Sequence, residues 1–329
     1  MRSLASFLRT RRSPFAPAPH SAQHDAPLLT AEEIVTLIEQ ADALRNSRAH
    51  GREVFLRHPG DARSAHLGRG LDFEEVRAYQ AGDDIRAMDW RTTARIGKPY
   101  LKIYREEHHP ALHVVVDRGA SMRFGTQRQL KVSQAARVAI LAGVLESSAH
   151  ACIGGTVIDT ATLTLPCLSK QAGILQLAQA VAAPCPPSTV RGEAAREEHA
   201  QWIAAMQRIA AALPNGSRLL LLSDFQWLTA SDVPMLAHLA MRHDVAAVHI
   251  TDPVEHALPA LGRASFYDLT QHRLRWIDTG NREVRARFAR AATRRQATIS
   301  AQLRQADIAY FSLATSADAM QLFLGMLDE

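Results

Sequence analysis

Three acids stand close behind the most apolar stretches of the chain. Asp117 follows Val114-Val115-Val116, Asp224 follows Leu219-Leu220-Leu221-Leu222-Ser223, and Asp252 follows the run 245–250. An apolar run that closes on a carboxylate reads as a buried parallel strand with its acid at the carboxyl end. In an open α/β sheet, ligands bind beyond those ends, where the strand order reverses. Acids leaving neighbouring strand ends supply hard oxygen donors suited to Mg²⁺, Mn²⁺ or Ca²⁺. The competing reading is that each carboxylate caps the turn or helix that follows it. These residues leave both readings open. A metal-dependent hydrolase using Asp117, Asp224 and Asp252 is the alternative function, but no general base or nucleophile is evident beside the acids.

Other chemistries lack their residues. There is no phosphate-binding P-loop, and Gly68-Arg69-Gly70 has no strand before it and no helix after it, as a dinucleotide fingerprint requires. No Gly-x-Ser-x-Gly elbow supports a nucleophilic serine. His108, His109 and His113 do not have the spacing of a helical metal pair and read as surface or strand-end residues. Cys152, Cys167 and Cys185 form neither a disulfide framework nor a zinc pattern, so a reducing, cytoplasmic setting is expected. The net charge of +5 is modest for 329 residues and demands no polyanionic partner. Arg287, Arg290 and Arg294 share one polar helix face without interleaved aromatics, so nucleic acid is not expected. The longest aliphatic run, 219–222, is far short of the ~20 residues of a membrane span.

Alternating elements must position the acids. Residues 1–27 read as a disordered, Arg-rich tail. Thr30 and Glu33 have capping-box spacing and open a helix carrying Ile34, Leu37, Ile38, Ala41 and Leu44, which should dock on the rest of the protein. Residues 28–110 combine this helix with a small β-rich subregion of short strands, Gly turns and dense charge. Residues 111–329 alternate strand and helix. Thr126 and Gln129 are expected to cap a helix reaching Leu145, Asp252-Pro253 follows a strand, and 266–269 with 274–277 suit a hairpin at the sheet edge. A long helix over 282–305, a strand over 308–313 and a last helix complete the chain. The fold class is α/β, a doubly wound, mainly parallel sheet of Rossmann type.

The segment Asp117-Arg118-Gly119-Ala120-Ser121 resembles the Asp-x-Ser-x-Ser run of von Willebrand A domains, which forms their metal-ion-dependent adhesion site. The resemblance implies Asp117 and Ser121 as metal ligands, Asp224 as the later acid, and Mg²⁺ or another divalent cation as cofactor. Gly119 departs from the pattern because it carries no hydroxyl. The family's Thr ligand has Ser188 and Thr189 as its candidates.

A longer stretch, 70–90, is similar to the signature of the bacterial domain of unknown function 58 family. It holds Arg77, Tyr79, Gly82, Asp83, Asp84, Arg86, Asp89 and Trp90, and Arg95 follows in Thr93-Ala94-Arg95. Ser223-Asp224-Phe225 and Asp252-Pro253-x-Glu255 follow in order. The resemblance implies a von Willebrand A-like fold and a non-enzymatic, protein-binding adaptor. It also implies a MoxR-type AAA+ ATPase as partner, because members are often encoded beside one, in protein maturation or assembly. Many members carry membrane-spanning helices near the N-terminus, which this chain lacks. Read physically, the signature's guanidinium and carboxylate groups suit a rigid polar network anchored by Phe73, Tyr79 and Trp90. The same surface suits a partner, with Trp90 or Tyr79 in contact.

Overall fold

The computed structural model describes residues 26–47, 72–79, 88–105, 111–146, 152–159, 161–185, 194–268 and 273–325. Helix α1 (Ala31–Ser47) begins at the expected capping box, in which the Thr30 amide donates to Glu33 and the Glu33 amide to the Thr30 hydroxyl. Its apolar stripe docks as its periodicity requires: Ala41 is fully buried, and Ile34, Leu37, Ile38 and Leu44 pack on the core. Strands β1 (Asp72–Ala78) and β2 (Tyr100–Arg105) pair antiparallel as a separate two-stranded sheet, with α2 (Trp90–Ile96) between them in the chain.

The other strands are β3 (Leu112–Asp117), β4 (Cys152–Ile158), β5 (Thr162–Ser169), β6 (Arg218–Ser223), β7 (Asp244–Thr251), β8 (Arg263–Asp268), β9 (Arg273–Asp278) and β10 (Ala309–Ala314). Six of them form the main sheet in the order β10-β7-β6-β3-β4-β5, parallel throughout except for β5, which runs antiparallel to β4. This is the doubly wound order with β3 and β6 at its centre, and the fold is α/β and von Willebrand A-like. All six residues of β3 are buried, as a central parallel strand covered on both faces requires.

The helices are α3 (Lys131–Leu145), α4 (Lys170–Ala182), α5 (Ala194–Ala212), α6 (Val233–Ala240), α7 (Pro253–His256), α8 (Arg282–Gln305) and α9 (Ala319–Gly325). Two cores follow from the pleat. Val114 and Val116 of β3 point into one, beneath α1, α3, α4 and α9. Val115 points into the other, with Trp202 of α5, Leu236 of α6, and Ile299 and Leu303 of α8. Among the described residues, no helix is long and apolar enough to cross a membrane.

Four expectations are corrected. The cap of α3 is Leu130, which offers no side-chain bond, while Thr126 and Gln129 turn to Asp252 and to Gln134, Arg137 and Thr315. Strands β8 and β9 form their own two-stranded sheet, and β5 and β10 hold the edges of the main one. His113 is no surface residue but a buried one on β3, bonded to the Thr156 hydroxyl at 2.8 Å. Cys152 and Cys167 form a disulfide, because a bulge between β4 and β5 brings their Cα atoms to 5.4 Å. Cys185 is free and buried.

Candidate functional site

The chain leaves β3 for α3 on one face of the sheet and leaves β6 for α6 on the other. The two strands are neighbours, so Asp117 and Asp224 emerge together at the switch point. Ser223 is the hub between them. Its hydroxyl donates to Asp117 Oδ2 at 2.6 Å and accepts from the Phe225 amide at 2.9 Å and from Trp227 Nε1 at 3.3 Å. One donor and two acceptor positions are thereby used in full. Asp117 Oδ1 accepts from the Gly119 amide at 2.8 Å.

Phe225 is held at a φ of 51°, a left-handed conformation that costs a bulky residue of the order of 1–3 kcal/mol. The turn is held from outside. Arg295 of α8 donates to the Phe225 and Gln226 carbonyls at 3.0 and 3.2 Å. In this conformation the Gln226 amide reaches Asp224 Oδ1 at 3.1 Å.

Lys131 is the residue that pattern reading missed. It opens α3 with its side chain 1% exposed, and its ammonium lies 2.8 Å from Asp224 Oδ2 and 2.6 Å from Glu255 Oε1. Its nitrogen also sits 6.0 Å from the centre of the Phe124 ring. A lysine in the first turn of a helix opposes the helix dipole, and that oddity was the available signal. Burial works against its charge, but Asp224 and Glu255 outweigh burial and hold its pKa above the ordinary lysine value. Asp224 responds in kind: burial alone would raise it, yet Lys131 and the Ser121 hydroxyl hold it below the usual carboxylate range.

Asp117 has no cation of its own. Burial, then the neighbouring Asp224 charge, raise its pKa to about 7 against the opposing bonds from Ser223 and Gly119. Glu198 adds to the same effect from α5. That helix is pinned by Trp202, which stacks on Trp227 with ring centroids 4.4 Å apart. One turn earlier, Glu198 accepts from the Ala120 amide at 3.0 Å. A Cβ on Gly119 would lie 3.0 Å from Asp117 Oδ1 and 3.5 Å from the Glu198 carboxyl carbon. The Glu198 carboxylate therefore crowds the place where the family's middle hydroxyl would begin. Ser188 and Thr189 lie outside the described residues.

Asp252 does not join the cluster. It caps α7, and its oxygens accept from the Val254 and Thr126 amides and from the Thr126 and Thr315 hydroxyls. The capping reading holds for this acid, and the three-acid hydrolase centre loses a member. Glu255, at the third position of the same helix, takes its place beside Lys131.

The signature is seen in part. Asp89 caps α2 by accepting from the Arg91 and Thr92 amides and the Thr92 hydroxyl. Arg77 lies on β1 opposite Leu101, and the half-buried Tyr79 donates its amide to the Pro99 carbonyl at 2.9 Å. Arg95 is exposed in the last turn of α2. Trp90 is 66% exposed at the start of α2, so it is not the buried anchor expected of it. Gly82, Asp83, Asp84 and Arg86 lie outside the described residues.

A divalent ion at Asp117, Ser121 and Asp224 would need free oxygens. Instead Asp117 is engaged by Gly119 and Ser223, and Asp224 by Lys131, Ser121 and Gln226. With an ammonium bonded to the later acid and no hydroxyl at Gly119, the donor set does not fit Mg²⁺.

A family model described as "Protein of unknown function DUF58" matches residues 75–298. Uncharacterized proteins from Mycobacterium bovis and Mycobacterium tuberculosis are each 30% identical over 263 residues, covering 76% of this chain and 77% of theirs. Similar solved structures include an aerotolerance-related membrane protein from Bacteroides fragilis. It is 13% identical with a TM-score of 0.41, over 67% of this chain and 98% of that one. A von Willebrand factor type A protein from Catenulispora acidiphila is 11% identical with a TM-score of 0.35, over 67% of this chain and 41% of that one. Likenesses this slight carry no functional argument.

Proposed function

Because the chain belongs to the family described as "Protein of unknown function DUF58", we propose that it is a non-enzymatic, protein-binding adaptor acting through the edge around Asp117. The proposed partner is a MoxR-type AAA+ ATPase, with protein maturation or assembly as the joint task. One observation carries the reading. The acids at the strand ends are spent on the protein's own donors, whereas a general base needs an acceptor within reach of substrate.

What the edge turns outward is a shallow polar rim. Glu255 is 31% exposed, and Glu198 and Ser121 are half-buried. These groups suit hydrogen-bond donors and positive charge on a partner. Trp90, exposed on the signature helix, suits a second contact, since aromatic residues dominate the energetics of many interfaces.

Co-purification of the tagged full-length chain with a MoxR-type ATPase, in ATP and Mg²⁺, tests this. The wild type is expected to capture the ATPase, and Glu198→Arg to weaken capture by about tenfold through a reversed rim charge. Repeated failure to capture any AAA+ protein would sink the reading. Capture unchanged by both Glu198→Arg and Trp90→Ala would move the contact away from these surfaces.

A further inference from the structure

We propose that Lys131 is the resident cation of this site. Its tethered ammonium takes the position a divalent ion would need, so the Asp117–Asp224 edge assembles on folding without metal. The inference stands whether or not the adaptor reading holds, because it concerns how the edge is built and not what docks there.

Four observations carry it. The ammonium is desolvated and bonded to two carboxylates from different strand ends, Asp224 after β6 and Glu255 after β7, at distances ordinary for charge-assisted bonds. It thus joins elements that a shared ion would join. Ser121, the one hydroxyl left of the motif, bonds to Asp224 itself, as a fellow ligand released from an ion would do. The position of the missing hydroxyl is crowded by Glu198, which bonds the Ala120 amide. Finally, α3 begins without a side-chain cap or an acid in its first turn, so the positive end of the helix and the ammonium converge on the same carboxylates. A dication brought to Asp224 would meet the repulsion of both.

Thermal unfolding of the full-length chain in EDTA, Mg²⁺, Mn²⁺ and Ca²⁺, with Mn²⁺ binding followed by electron paramagnetic resonance, tests the proposal. Wild-type protein is expected to unfold at the same temperature in all four and to leave the Mn²⁺ signal undiminished. Lys131→Ala opens the position and leaves Asp224 and Glu255 without a cation. It is expected to melt at lower temperature and to recover part of the loss in divalent ion, because a ligand that binds the native state raises its stability. A wild-type response to divalent ion that disappears in Asp117→Ala would overturn the proposal, as would a folded Lys131→Ala variant indifferent to every ion. Should Lys131→Ala not fold, the wild-type Mn²⁺ titration decides: no bound ion supports the proposal, and an ion lost in Asp224→Ser overturns it.

Discussion

Asp117 and Asp224 are two buried carboxylates with one ammonium between them, and the ammonium belongs to Asp224. The asymmetry sets their protonation. Asp224 stays ionised beside Lys131, while burial and the Asp224 charge lift Asp117 to about 7. A group whose folded pKa is raised contributes stability in full below its unfolded value, near 3.8, and loses it as pH rises through the folded value. Wild-type stability should therefore decline between about pH 4 and 8 by a few kcal/mol relative to Asp117→Asn. The asparagine meets a conflict of its own, because Ser223 has no acceptor position left for the new amide. That cost is constant with pH, so the slope is the readout. Urea midpoints at pH 5 and pH 8 measure it, and parallel slopes for both proteins would refute the assignment. At this scale Asp117, Ser121 and Asp224 were legible because strand-end acids and a hydroxyl follow a motif. Lys131 was not, since a lone lysine before an apolar helix reads as a solvated end. Its two acids lie 93 and 124 residues away in the chain.

At the scale of elements, the site hangs on ties between loops more than on any one strand. Asp252 gathers the loop before α3 through Thr126, the start of α7 through Val254, and the chain after β10 through Thr315. The first of those loops delivers Lys131, so Asp252 positions a residue it never touches. Asp252→Ala would leave several donors without partners at a carboxylate site that is fully buried. A loss of about 3 kcal/mol or more is expected, measured as a fall in urea midpoint. Asp252→Asn keeps one acceptor oxygen and should lose less. A change below about 0.5 kcal/mol in Asp252→Ala would place the tie elsewhere. The Asp-Pro-x-Glu spacing made the short helix legible as a capped turn. The ties to Thr126 and Thr315 were not legible, because they close over 126 and 63 residues of chain. Thr126 itself was misread as a helix cap for the same reason: local spacing suggested a local partner, and a distant carboxylate won.

For the whole molecule, the alternation of apolar runs with helical periods was enough to read a doubly wound sheet, since each run buries on both faces and each helix on one. What the runs concealed were their polar residues, and those govern the response to acid. His113 on β3 and His249 on β7 are both nearly inaccessible, and burial lowers each to about 4, with His243 acting on His113 as a secondary influence. Their bonds, to Thr156 and Tyr310, need no positive charge. For a depressed folded pKa the contribution to stability is complete above the unfolded value, near 6.5, and falls away as pH drops toward 4. Each histidine is thus expected to withdraw about 3 kcal/mol when the unfolded chain is fully protonated and the folded one is not. Asp117 works in the opposite direction over much of this range, but it is one group against two. Stability should accordingly peak near neutrality and fall on the acid side. In His113→Gln/His249→Gln the acid limb should flatten, even if the variant is less stable at every pH. Chemical denaturation at half-unit steps from pH 7 to pH 4 follows it. An acid limb as steep in the double variant as in the wild type would show that carboxylates elsewhere, and not these imidazoles, carry the acid sensitivity of the fold.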